Sequence, residues 1–358
     1  MPSTTDLGRC SITPTTVVWG QRLFVTGADK ARREVYCLDL GSGRLLWRTP
    51  VAKGATAGTA LRLHEMTGYA APTAATDGER VYAIFPTGHL VALNFAGKLV
   101  WQRRFDMSKD MYGHATSLVL QGNLLYVQID LGRPDVGLSH LVALNKRSGK
   151  TVWTVPRPVQ GSWTTPLVIN TGARQELITS AKPWVIAYDP ATGAELWNAL
   201  CINGDTAPSP IYAHGYVIVA NIYAELTAIR PGGEGDVTKT RIAWSVKGDL
   251  PDICSPLSDG KLVWVLSTGG VLSCHDAANG ALVWKQALGR RFRASPSLVG
   301  DRVYLISEAG ESVVVGAGRE YRELATGQFG EPVYSSPAFA NGRMYVRGEK
   351  HLFGVGAR

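Results

Sequence analysis

Asp205, Asp249, Asp252 and Arg293 form the grouping in this chain whose residue types best suit chemistry. Carboxylate oxygens are the ligands that a hard cation such as calcium takes, and a guanidinium beside them can hold an oxygen that carries negative charge. Three histidines make a second candidate set. His89, His140 and His351 each stand directly before a leucine, in Gly88-His89-Leu90, Ser139-His140-Leu141 and Lys350-His351-Leu352. A shared metal needs every ligand within about 2.1 Å of one ion. The spacing matches no ligand pattern, so inheritance from a repeated unit is the better account. No catalytic-triad spacing, phosphate loop or dinucleotide turn is visible in the sequence. Gly232-Gly233-Glu234-Gly235 has the glycines, but it is expected to be a stretched hairpin turn without the following helix that phosphate cradling uses. No catalytic residue is assigned.

The elements that carry these residues follow from repetition. A phrase returns along the chain: a small-residue Pro strand, a turn such as Asp77-Gly78-Glu79-Arg80, an aromatic-rich strand, a strand ending in Asp or Asn, a glycine turn, and usually Trp. Its recurrences run from Cys37-Leu38-Asp39 to Trp47, Ala92-Leu93-Asn94 to Trp101, Ala143-Leu144-Asn145 to Trp153, and Ala187-Tyr188-Asp189 to Trp197. A stretched version runs from Ile229-Arg230 to Trp244, and a tight one from Cys274-His275-Asp276 to Trp284. Val315 to Arg319 keeps the length without the Trp, and Phe353 to Arg358 is a truncated eighth. Pro14, Pro72, Pro166, Pro210, Pro256, Pro296 and Pro337 mark the incoming strands, with His114-Ala115-Thr116-Ser117 standing in for the third unit. A period of about 40 to 50 residues means one supersecondary unit copied many times.

Within a unit the local chemistry predicts four antiparallel strands, in the second unit over 71–76, 80–85, 90–94 and 98–103, with turn glycines between them. Val81, Ala83 and Phe85 alternate with Tyr82 and Ile84, so both faces are apolar. A sheet covered on both faces suits a blade packed between two neighbours. The fold expected is all-β, an eight-bladed β-propeller of four-stranded antiparallel blades, with each Trp lying between adjacent blades. Cutting a closed ring exposes sheet edges, so residues 1–358 are expected to be a single domain. Ser3 to Arg9 would supply the outermost strand that the last unit lacks.

These phrases resemble the quinoprotein-type β-propeller repeats, whose tryptophan-docking motif is similar to Ala187-Tyr188-Asp189-Pro190-Ala191-Thr192-Gly193-Ala194-Glu195-Leu196-Trp197. The repeats at Cys37, Ala92, Ala143 and Cys274 match it less fully, and the resemblance covers essentially the whole chain. The family includes alcohol dehydrogenases that bind pyrroloquinoline quinone with calcium. It also includes non-catalytic propellers such as the lipoprotein of the outer-membrane β-barrel assembly machinery, which this chain resembles more. The resemblance implies a vicinal disulfide in the quinone dehydrogenases, and no adjacent cysteine pair exists here. It also implies a periplasmic or exported setting.

Composition sharpens the class. Lys and Arg number 37 against 29 Asp and Glu, a net charge of +8, which favours encounters with anionic surfaces or acidic glycans. No run of basic residues or nucleic-acid motif is present, so nucleic acid is excluded as a partner. No apolar stretch approaches the length of a membrane span. Residues 1–20 show no signal-peptide pattern, and Leu7-Gly8-Arg9-Cys10 does not suit lipid attachment. Cys37 and Cys274 share the repeat position of Ala92, Ala143 and Ala187, so both are expected to be buried small residues, as is Cys254.

Short Asp-Gly and Thr-Gly turns are assigned to one rim and loops of varied length to the other, at 48–68, 103–113, 130–139, 198–207 and 247–252. Variable loops on a rigid scaffold are where binding concentrates. The residues expected to meet a partner there are Arg104, Tyr112, His114, Arg157, Trp163, Arg290, Arg291 and Tyr334, within a charged set that adds Lys53, His64, Glu65, Asp106, Lys109, Asp110 and Glu331. The first functional expectation is a monomeric, non-enzymatic interaction scaffold of the cell envelope without a cofactor. The alternative implied by the resemblance is a dehydrogenase of alcohols or sugars that uses pyrroloquinoline quinone with calcium at Asp205, Asp249, Asp252 and Arg293. A third is a glycan-binding propeller that stacks sugars on Trp163, Trp184, Tyr112 and Tyr334.

Overall fold

The computed structural model describes residues 3–6, 15–53, 63, 67–110 and 112–356. Eight sheets follow one another along the chain, and they are the blades of an eight-bladed β-propeller. Blade two is representative: Ala75–Thr76, Arg80–Ile84, His89–Asn94 and Leu99–Arg104, paired antiparallel in that order. Its first strand is shorter than the sequence suggests, because only Ala75 and Thr76 enter the ladder. The fourth strand of blade eight is Ser3–Asp6, which pairs with His351–Gly354.

Two compact units divide the chain, one comprising Met1–Val127, Ala143–Val152 and Phe329–Arg358, the other Gln128–Val142 and Trp153–Gln328. In the first, Phe24, Val35, Cys37, Val81, Phe85 and Leu93 form a buried cluster against which Trp47 packs. In the second, Trp264, Leu266, Cys274, Phe292, Val303 and Val313 form another, joined by Trp284. Cys37, Cys254 and Cys274 are buried and free of disulfides, while Cys10 lies outside the described residues.

The repeated Trp and Gly meet across successive blades. Trp47 donates its indole N–H to Phe95 O at 2.9 Å, Trp101 to Lys146 O at 2.9 Å, Trp153 to Pro190 O at 3.2 Å, Trp244 to Ala277 O at 3.1 Å and Trp284 to Gly318 O at 2.9 Å. The rings of Trp47, Trp101, Trp153 and Trp244 lie against Gly97, Gly149, Gly193 and Gly280 of the turn one repeat later. A Cβ on Gly97 would stand 2.7 Å from the Trp47 ring, and Gly97 has φ 78°, so both contact and backbone require glycine there.

Trp197 departs from this pattern. It is fully buried, and its N–H goes to the Glu176 carboxylate at 2.8 Å. The stretched turn of the fifth repeat explains the change. Gly235–Asp236 leaves that turn to pair in parallel with the fourth strand of blade four, making a fifth strand there. Glu176 also accepts the N–H of Gly232 and pairs with Arg174. The glycine run is followed by one helical turn, Thr238–Arg241, where the sequence suggested none. In blade seven Ala325 takes the register place of the indole, opposite Val314.

The small-residue Pro phrase has a bonding role. Thr73 N donates to Ser117 Oγ at 3.0 Å in the first unit. In the second, Thr165 N donates to Ser209 Oγ at 2.9 Å, Ser209 N to Ser255 Oγ at 3.0 Å and Ser255 N to Ser295 Oγ at 3.0 Å. Each hydroxyl satisfies a backbone donor of the preceding blade that no ladder reaches.

Candidate functional site

Antiparallel strands fix which loops share an end. Connections between second and third strands fall at the same end as those leading from a fourth strand to the next blade. Phe105 N accordingly donates to Gly88 O, Leu288 N to Gly270 O and Glu308 N to Arg291 O. The Thr87-Gly88 turn therefore belongs with the variable loops, a correction to the sequence assignment, and a Cβ on Gly88 would collide with Phe105 O. Asp-Gly turns remain at the other end.

On the first unit this end carries Arg104, Tyr112, His114, Glu331 and Tyr334. Arg104 is exposed, whereas Tyr112 and Tyr334 are half-buried. Asp110 receives the N–H groups of Tyr112 and Gly113 at 3.1 and 2.8 Å, which shapes that loop. His114 is only 3% exposed, and burial pushes it down to about 4, partly opposed by a hydrogen bond with the Thr116 backbone. It is a neutral core histidine, not a rim contact. Glu331 accepts the backbone N–H of His351 at 2.8 Å and pairs with its Nδ1 at 3.0 Å. These bonds hold the Glu331 carboxyl below its usual range against the opposing effect of burial. His64 and Glu65, and the side chain of Lys53, lie outside the described residues.

The three equivalent histidines are used separately. His89 Nδ1 meets Thr87 Oγ1 at 3.0 Å, His140 Nδ1 meets Leu138 O at 2.9 Å, and His351 meets Glu331. His89 and His140 each bond a residue two places earlier, whereas His351 reaches Glu331, 20 residues earlier. Among the described residues no group of three His, Cys, Asp or Glu is placed to hold a metal.

On the second unit, Arg157 is withdrawn from solvent, 2% exposed. Its guanidinium meets Asp130 at 2.7 Å and the Tyr188 hydroxyl at 3.2 Å. Asp130 in turn accepts from Ser162 Oγ at 2.6 Å and Gln128 Nε2 at 2.8 Å. The loop position that suggested a rim contact is instead a buried, fully bonded ion pair. Asp130, Gln128 and Ser162 carried no sequence signal, because each is one polar residue in an ordinary strand or loop. Trp163 is half-buried beside this network, its backbone N–H bonded to Thr206 O at 2.9 Å.

The carboxylate grouping is brought together only in part. Asp252 is half-buried, and desolvation and then the Asp205 charge raise its pKa, while Arg293 lowers it. Asp205 accepts from Gln160 Nε2 at 3.0 Å. Asp249 is exposed and paired with Lys285 at 2.9 Å. Arg293 is held by Glu308 at 3.0 Å and Arg290 by Glu311 at 2.7 Å, while Arg291 is exposed, 3.7 Å from Glu308. Arg290, Arg291 and Arg293 are therefore all answered by carboxylates of blade seven.

Known proteins carry the same repeats. A family model described as outer membrane protein assembly factor BamB matches residues 4–128, 137–253 and 234–324. This chain belongs to that family. BamB of Bordetella pertussis is 21% identical over 306 residues, covering 80% of this chain and 68% of that protein. BamB of Alkalilimnicola ehrlichii is 26% identical over 204 residues, and the match spans 48% of its length. Among solved structures, BamB from Moraxella catarrhalis superposes with a TM-score of 0.70 at 14% identity, over 99% of this chain and 98% of that one. The quinohemoprotein alcohol dehydrogenase of Comamonas testosteroni superposes at 0.75 and 12% identity, over 100% of this chain and 77% of that one. At such identities BamB and the dehydrogenase share the fold with this chain, and the family match distinguishes between them.

Proposed function

We propose that this chain is a non-enzymatic protein-interaction scaffold of the cell envelope, periplasmic and active in outer-membrane protein assembly. The observation that carries this reading is the BamB family match, which runs through nearly all the repeats. Among the described residues no helix is long and apolar enough to cross a membrane. The contact residues in this reading are Arg104, Tyr112 and Tyr334 on the first unit, and Trp163, Arg290 and Arg291 on the second. Exposed or half-buried side chains on a hydrogen-bonded frame bind with little loss of conformational freedom. His114 and Arg157 have no part in it, because burial denies them a partner.

A photo-crosslinking residue placed in turn at Tyr112, Tyr334, Trp163 and Arg291 in cells tests this. The expected result is covalent capture of envelope proteins at one or more positions. Failure at all of them, with dye-linked alcohol oxidation by the purified chain given pyrroloquinoline quinone and calcium, would overturn the scaffold in favour of the dehydrogenase. Among the described residues, the nominated side chains do not fit that cofactor pair. Calcium takes about six to eight oxygen ligands, yet of the nominated carboxylates Asp249 is bound by Lys285, leaving Asp205 and Asp252. The nominated base, Arg293, is held by Glu308.

A further inference from the structure

The turns between third and fourth strands differ in charge along the chain. In blades one to three the residue after the turn glycine is basic, as Gly43-Arg44, Gly97-Lys98 and Gly149-Lys150, whereas the compact turns of blades four and six have Gly193-Ala194 and Gly280-Ala281. Acids run the other way. Asp189 and Asp276 accept backbone N–H groups within their turns, from Ala191 at 2.8 Å and Ala278 at 3.1 Å. Asn94 and Asn145 do the same for Ala96 and Arg147, both at 3.0 Å, without a charge. Such a turn needs an acceptor and not an anion, so asparagine keeps the geometry and removes negative charge from this end. Asp39 is the one acid within residues 39–44, 94–98 and 145–150, and it is engaged by the N–H and hydroxyl of Ser42 at 2.8 and 2.7 Å.

Arg44, Lys98, Arg147 and Lys150 are exposed, and among the described residues none of them enters an ion pair. Lys146 is set apart, because its ammonium lies 3.1 Å from the Asp77 carboxylate. Close to these bases in the chain stand Leu45, Leu99, Val100 and Val152, each between 43% and 52% exposed. Trp19 is 49% exposed in the turn between the first and second strands of blade one. That turn shares the same end, since Leu40 N donates to Gln21 O at 2.9 Å. The three basic turns are tied to one another. Thr49 Oγ1 donates to Gly97 O at 2.6 Å beside the docked Trp47, and Arg103 donates to Gly149 O at 2.7 Å beside the docked Trp101. All of these residues belong to the first unit.

We propose that this end of the first unit docks on an anionic lipid bilayer. Arg44, Lys98, Arg147 and Lys150 meet the lipid phosphates, while Leu45, Leu99, Val100 and Val152 enter the headgroup region with Trp19. Basic side chains near a negative surface and apolar side chains placed below its headgroups both add to peripheral binding, and indole rings favour that interface. A protein partner suits the same residues less well, because lysine is depleted from protein interfaces and leucine and valine are under-represented among their hot spots. A fluid surface asks for no single shape, so equivalent places on three blades suffice. This inference does not rest on the scaffold reading. Arg104, a contact residue there, ends the strand that Leu99 begins and stands at the opposite end of the blade.

The full chain is mixed with vesicles of equimolar phosphatidylcholine and phosphatidylglycerol, or of phosphatidylcholine alone, and bound protein is measured by flotation. Binding to the anionic vesicles alone is expected. Each base near the surface is worth about a fivefold change in affinity, so Lys98→Gln with Lys150→Gln should weaken binding about twenty-fivefold. Lys98→Arg with Lys150→Arg should retain it. Lys239→Gln with Lys261→Gln removes the same charge from the second unit and should leave binding unchanged. Leu99→Ser with Val152→Ser should weaken binding about tenfold. These side chains are exposed, so the thermal midpoints of the variants should match that of the parent. Equal losses from the two lysine-to-glutamine pairs would trace the attraction to net charge and overturn the proposal. So would absence of binding to the anionic vesicles, or binding that ignores Leu99→Ser with Val152→Ser. Binding to polyglutamate as tight as to the vesicles also overturns it, because the partner would then be an acidic protein.

Discussion

Tyr345 donates its phenolic hydrogen to the carbonyl oxygen of Leu40 at 3.2 Å, from 305 residues further along the chain. Leu40 stands three residues before Gly43, as Lys146, Pro190 and Ala277 stand before Gly149, Gly193 and Gly280. Those three carbonyls accept indole N–H groups. A phenol on a second strand thus takes the hydrogen bond that an indole on a fourth strand makes elsewhere. Leu23, Leu38, Leu40, Tyr345 and Leu352 form a single buried cluster around it.

Loss of a docked indole should be among the costliest single changes. Trp284→Ala is expected to destabilise by about 3 to 5 kcal/mol. Trp284→Phe retains the edge contact with Tyr321, at 5.5 Å between ring centres, and loses the bond to Gly318 O. That loss should cost about 1 kcal/mol, and urea unfolding of the two variants gives the order.

Gly97→Ala combines a left-handed backbone with a collision against Trp47, whereas Gly122, at φ 56°, has nothing within 4 Å of its Cβ position. Gly122→Ala should show backbone strain alone, about 1 kcal/mol, and Gly97→Ala a larger loss within the range of about 1 to 3 kcal/mol. In a Trp47→Ala background the excess should shrink, a coupling that a double-mutant cycle measures.

Arg157→Met strands the buried Asp130 carboxylate and is expected to cost about 3 to 5 kcal/mol. Adding Asp130→Asn removes the stranded charge and should recover much of that loss. A residue whose role was partner contact would instead leave the unfolding curve unchanged and alter capture of the partner.

His114 gives stability a pH dependence. Its folded pKa lies at about 4, below the ordinary 6.5, so the unfolded chain binds the proton more tightly. The contribution is fully present above pH 6.5, falls as the pH drops towards 4, and amounts to on the order of 3 kcal/mol. His114→Gln should flatten the stability profile across that window, whatever its effect on stability at neutral pH.

How much was legible depends on how local the signal is. The Trp47–Gly97 and Trp101–Gly149 contacts could be read because each partner recurs at a fixed place in its unit. The Trp197–Glu176 bond could not, because the insertion between Ile229 and Trp244 changes what that indole meets. The rim residues divided for a similar reason. Arg104 and Arg291 are exposed as expected, but Arg157 found Asp130, 27 residues earlier, and Arg293 found Glu308, 15 residues later.

The sequence by itself determined the repeated unit, its number and the blade that each copy forms, because strand alternation, turn glycines and Trp spacing act over a few residues and recur. Tertiary structure alone decided which charges are buried and paired. Whether a guanidinium faces solvent or a carboxylate depends on the loop that the neighbouring blade lays against it, and no periodicity in the chain encodes that meeting.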